Sequence, residues 1–196
     1  MEADLEFRPG NDYAYRQGYR LAGRILTERV AKDRFERNFL VFPICHSYRH
    51  FVELTLKWLI HGGCLLAERD MNDTEARLRT ESHNLRALWD TFKAIAREVE
   101  QETGVDAPPQ EDLEGIGSYI DQLHEVDRGS FTFRYPRTKT GEVSVGAIKR
   151  INLGRFCEHM EGLCDYLDGV DTYYQQLLEI RDDILSDYAP DYDYGY

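Results

Sequence analysis

Within HSYRHFVELTLKWLIH, residues 46–61, four ionisable side chains recur at steps of four: Arg49, Glu53, Lys57 and His61. On a helix each step of four turns by only about 40°, so the four share one stripe. The rest of the segment is almost wholly apolar, with Phe51, Val52, Leu54, Thr55, Leu56, Trp58 and Leu59 covering more than half of the circumference. A carboxylate flanked by two cations stays ionised. A histidine one turn away could transfer protons near neutral pH, and an arginine beside it suits a phosphate. The same spacing also fits a plain ladder of salt bridges at a groove edge, each worth about 0.3–0.5 kcal/mol if exposed. His46 and His50 have the i, i+4 spacing that can chelate a metal, but only Glu53 or Cys45 could complete the ligand set, so no metal and no cofactor is expected.

The elements that must carry this stripe are helical. Tyr15, Tyr19, Ala22, Leu26 and Val30 recur at helical spacing, with Arg16, Arg20 and Arg24 as a basic stripe alongside. Pro43 suits the first turn of the next helix or a kink in a continuing one, and Gly62 or Gly63 can stop it. Residues 66–81 read as a loop or a short charged helix. Ser82 is a candidate cap for a helix burying Leu85, Leu88, Trp89, Phe92, Ile95, Ala96 and Val99, and Pro108–Pro109 open another. Phe131, Phe133 and Tyr135 alternate with polar residues before TKTG, and Val143 and Val145 alternate after it, which predicts a β-hairpin. Phe156, Met160, Leu163, Leu167, Val170, Tyr174 and Leu177 then step 4-3-4-3-4-3 along a long final helix. The prediction is an all-α bundle of four to five helices with a small β-hairpin inserted before the C-terminal helix. Residues 11–183 form one domain, and 184–196 an acidic, Tyr-rich tail whose composition predicts disorder.

A length of 196 residues suits one domain. The net charge of −12 argues against broad electrostatic binding to nucleic acid or to an anionic membrane. The charge is unevenly spread, however. Residues 98–128 and 156–196 are strongly acidic, whereas 129–155 carry six bases against one acid and 8–37 carry eight against four. The four cysteines form no CxxC pair, no apolar run approaches 18 residues and no signal peptide opens the chain. Reduced thiols and a cytoplasmic setting without membrane association are expected.

FPICHSYRHFVELTLKWLIHGG followed by SHNLRALW resembles the HEPN-domain proteins, small helical domains of bacterial toxin–antitoxin, phage-defence and CRISPR-linked systems. Arg49, the E-x3-K of Glu53 and Lys57, His61 and the His-x-Leu at His83 carry the resemblance, and DRGSFTFRYP looks like an accessory motif of a bacterial subgroup. Active members of that family are commonly dimeric, metal-independent RNases with an Arg-x4–6-His motif. The motif is degenerate in this chain: Arg77-x5-His83 has the spacing, Arg155-x3-His159 is one residue short, and Trp58 stands where some groups have Arg or Asn. The resemblance implies an RNA-cleaving effector with Arg49, Glu53, Lys57, His61 and His83 as candidate catalytic residues. Arg16, Arg20, Arg24, Arg134, Arg137 and Lys139 are then candidate RNA contacts. It also implies a homodimer and an antitoxin or defence-system partner. The alternative is a non-catalytic HEPN-like interaction module whose charged ladder only orients helices, and the excess of acid favours it.

Overall fold

A computed structural model describes residues 12–146 and 148–187. The fold is all-helical, with six helices among these residues: α1 (Asp12–Lys32), α2 (Arg37–Leu66), α3 (Met71–Thr80), α4 (Leu85–Thr103), α5 (Gln110–Val126) and α6 (Leu153–Asp187). α2 is the central element and packs on α1, α4 and α6. Its apolar sequence explains the position, because only a helix with neighbours on several sides can bury Ile44, Tyr48, Phe51, Val52, Leu56, Leu59 and Ile60 together. The helix runs through Pro43, whose missing N–H removes one i to i−4 hydrogen bond at an exposed turn. Among the described residues no helix is long and apolar enough to cross a membrane.

Local signals place the boundaries. The charged stretch after α2 does form a helix, started by the Asp70 carboxylate, which accepts the Asn72 amide at 3.0 Å. α4 is capped by the Asn84 side chain on the Ala87 amide at 3.1 Å, not by Ser82. It stops at Gly104, whose φ of 68° is the left-handed conformation that glycine adopts at little cost. α6 buries Cys157, Met160, Leu163, Cys164, Leu167 and Tyr174 within the chain's own bundle and continues four residues past the domain boundary drawn at 183. The remainder of the Tyr-rich tail, 188–196, lies outside the described residues.

The expected β-hairpin is not formed. Between α5 and α6 the described residues contain turns and one isolated antiparallel bridge, Arg137 to Val143. The cause is Asp127, whose Oδ1 accepts the Phe131 and Thr132 amides at 2.7 and 3.0 Å. This draws the chain into a helical turn in which the Arg134 and Tyr135 amides both bond the Phe131 carbonyl. Phe131 and Tyr135 thus become i, i+4 neighbours with ring centroids 4.4 Å apart, while Phe133 alone is buried. The TKTG turn does close, with the Thr138 amide on the Glu142 carbonyl at 2.8 Å and Gly141 at a φ of 88°.

Candidate functional site

The middle of α2 meets two chain reversals, one before α4 and one after α5. Arg49 ties them together. Its Nη1 donates to Glu53 Oε2 at 2.7 Å, Nη2 to the His83 carbonyl at 2.7 Å and Nε to the Asp127 carbonyl at 3.2 Å. The Asp127 carboxylate lies 3.2 Å from Nε as well, making an ion pair without a well-aligned hydrogen bond. Arg49 is fully buried, so its planar fork serves two backbone carbonyls and a carboxylate rather than solvent.

Glu53, 1% exposed, is the floor of the site. Its Oε1 receives the Lys57 ammonium at 2.8 Å and faces His83 Nδ1 at 3.0 Å. Burial by itself would raise this carboxyl, but hydrogen bonds from Lys57 and Arg49 outweigh it and hold the group below the usual carboxylate value. With Glu53 ionised, the favoured His83 tautomer carries its proton on Nδ1 and leaves Nε2 with a lone pair. The side chains of Lys57 and His83 are 27% and 49% exposed. A buried anion thus orients a histidine and a lysine that both reach the surface.

Beside this opening, His46 and His50 stack at 5.5 Å, and Tyr19 of α1 sets its ring edgewise to His50 at 4.4 Å. Burial pushes the His50 imidazole down to about 4 against the opposing pull of Glu53, so it is neutral at physiological pH. His46 is also lowered, first by burial and then by the Arg134 guanidinium. Both Nδ1 atoms are buried without a hydrogen-bond partner among the described residues. Among the described residues no group of three or more His, Cys, Asp and Glu is arranged to hold a metal.

The other candidates are elsewhere. His61 is exposed and stacks on Trp58 at 6.4 Å, because a 40° drift per step carries it off the Glu53 stripe two turns along. Trp58 donates Nε1 to Asp171 at 2.7 Å. Arg16 is buried on that same carboxylate, and Arg20 bonds Glu161, Asp165 and Asp168 of α6. These two arginines hold α1 to α6, while Arg24 is exposed. Arg134, Arg137 and Lys139 are exposed and outside any ion pair among the described residues. Arg134 bonds the Ser130 carbonyl of its own loop, so it does not pair with α5. Arg77 is exposed on α3, and His159 meets the Tyr119 hydroxyl at 3.2 Å. Asp127 was not singled out from the sequence. Its one visible signal is Gly129-Ser130 two residues further on, the kind of turn in which an aspartate caps backbone amides.

No protein-family model matches the chain, and no curated protein or solved structure matches it significantly.

Proposed function

We propose that this protein cleaves RNA without a metal, as a HEPN-like effector of a bacterial defence or toxin–antitoxin system. One observation carries the reading: Glu53 Oε1 contacts both His83 Nδ1 and Lys57 Nζ, and the histidine and the lysine both reach solvent. In this reading His83 Nε2 takes the proton from an RNA 2′-hydroxyl as its oxygen attacks the adjacent phosphorus. The bond to the 5′-oxygen breaks, that oxygen takes a proton from water, and a 2′,3′-cyclic phosphate is left. The Lys57 ammonium balances the charge that builds on the non-bridging oxygens. Glu53 and Arg49 are positioning residues, since neither reaches the surface. Arg134, Arg137 and Lys139 are the RNA contacts this reading retains. Arg16 and Arg20 already bond carboxylates and His61 lies apart, so none of these is assigned a role in it. Pairing of two copies belongs to the same reading, and Phe35 with Phe39, or Ile180 with Ile184, are among the exposed apolar faces it could use.

The test is incubation with total RNA in EDTA. Wild type should cleave it, and His83→Gln should slow cleavage by about a hundredfold or more with little change in melting temperature. Cleavage that survives His83→Gln would remove the assignment. A non-catalytic interaction module is the second reading. The full burial of Arg49 favours it, because a guanidinium bonded to two loop carbonyls stabilises the fold whether or not any chemistry occurs above it. Wild type that leaves RNA intact, while Arg49→Ala unfolds, would select that reading.

A further inference from the structure

The cations of this acidic chain are partitioned. Among the described residues, Lys and Arg outside any ion pair fall, apart from Arg77 and Arg97, into two stretches, 24–37 and 134–155. Four acids, Glu28, Asp33, Glu36 and Glu142, share those stretches, and Glu36 is taken by Arg29. The second stretch has six bases, none of them in an ion pair among the described residues. Neutralising them was possible in a protein of net charge −12, so cations left open here are available for an external anion.

Both stretches border one groove of about 800 Å³ between the α1–α2 corner and residues 133–154. Val41, Phe42, Phe133 and Ile148 line it with apolar surface, while Arg37, Lys149 and Arg150 bring positive charge. Phe42 is 41% exposed, and Lys149 and Arg150 are exposed. Arg37 is anchored through Nε on the Val30 carbonyl at 2.8 Å. Glu53 lies eleven residues beyond Phe42 on the same helix, about 16 Å along the axis. His46 and His50 succeed Phe42 at four-residue steps between them.

We propose that this groove holds a single-stranded RNA segment, with Lys149, Arg150 and Arg37 on its phosphates and a base against Phe42. It is the part of the strand that leads past His46 and His50 to His83. The proposal rests on the RNA-cleaving reading above and adds a second binding surface to the contacts that reading retains at Arg134, Arg137 and Lys139, since Arg16 and Arg20 are engaged with α6. Charge complementarity selects a polyanion, and the apolar floor selects one whose base faces are open. A duplex keeps its bases stacked inside and would use only the cations.

The probe is a fluorescein-labelled 2′-O-methyl RNA single strand, which has no 2′-hydroxyl to attack, alone and annealed to its complement. Wild type should prefer the single strand, and binding should weaken as salt rises. The double variant Lys149→Glu/Arg150→Glu should bind about tenfold or more weakly, and the slope of log affinity against log salt should shrink by about two. Phe42→Ala should narrow the preference for single strand over duplex. Both variants alter exposed side chains, and unchanged melting temperatures would show that the fold is intact. Unchanged affinity in the double variant, or equal binding of duplex by wild type, would overturn the proposal. So would sedimentation showing a wild-type dimer that the double variant dissolves, because a second copy would then cover the groove. The two readings separate cleanly. Cleavage that requires His83, with binding indifferent to Lys149 and Arg150, removes the groove alone, whereas a wild type that binds no strand removes both.

Discussion

Glu53 is the residue on which most depends, because it is a buried anion between two cations. Glu53→Gln would leave the fully buried Arg49 short of its main counter-charge, and removing one partner of a buried pair typically costs about 3–5 kcal/mol. A loss near 3 kcal/mol at neutral pH is expected by chemical denaturation, since Asp127 remains beside Arg49. The pH dependence has a definite sign. The folded pKa of Glu53 is depressed, so its stabilisation is present above the ordinary glutamate value of about 4.3 and fades as pH falls through the folded value. The gap between wild type and Glu53→Gln should therefore close on acidification. His50 works in a higher window. Its pKa is lowered to about 4, so the unfolded chain binds the proton first, and stability should fall as pH drops from about 6.5 towards 4. His50→Gln should flatten that part of the profile, and an unchanged slope would show that His50 is not neutral in the folded protein.

At the scale of elements, the close approach of α2 to α4 and α6 depends on Gly63. A Cβ built there would lie 2.5 Å from Ile95 Cγ2 and 3.2 Å from Tyr174 Cε2. Ile95 is stiff at its β-branch and both neighbours are buried, so neither can swing away cheaply. Gly63→Ala should destabilise by about 1–3 kcal/mol despite alanine's better helix propensity, lowering the melting temperature by roughly 2–4 °C per kcal/mol. A stabilised variant would mean that the three helices can separate without loss. α3 depends on a single cap. Asp70→Ala should cost about 1 kcal/mol and raise amide exchange in Met71–Thr80 ahead of the other helices.

For the whole molecule, the question is how the exposed apolar surface is covered. The α6 seam is used up inside the chain, so it does not by itself demand a partner. Exposed apolar side chains include Leu21 and Ile25 on α1, Phe35, Phe39 and Phe42 at the α1–α2 corner, and Ile180, Ile184 and Leu185 near the end of α6. Under the proposed function, sedimentation at tens of micromolar should give a two-fold dimer, and Ile180→Glu/Ile184→Glu or Phe35→Glu/Phe39→Glu should dissociate it. A single species near 23 kDa would remove the pairing from the reading.

Helical periodicity was enough to predict the all-α class, the central place of α2 and the Arg49–Glu53–Lys57 row, because each is set by which residues fall on one face of one helix. The 4-3 seam of α6 was legible for the same reason. The hairpin was not, since two Asp127 hydrogen bonds to amides four and five residues ahead outweighed a period-two pattern. Nor could spacing along a single helix reveal that His83 and Asp127 meet Arg49 and Glu53 from 30 or more residues away. The arginines of α1 were legible as a stripe. That Arg16 and Arg20 face the carboxylates of α6 while Arg24 stays exposed follows only from the packing of α1 on α6. Periodicity specifies which side chains share a face; the packing of helices remote in sequence decides which charges meet one another and which stay open to a ligand.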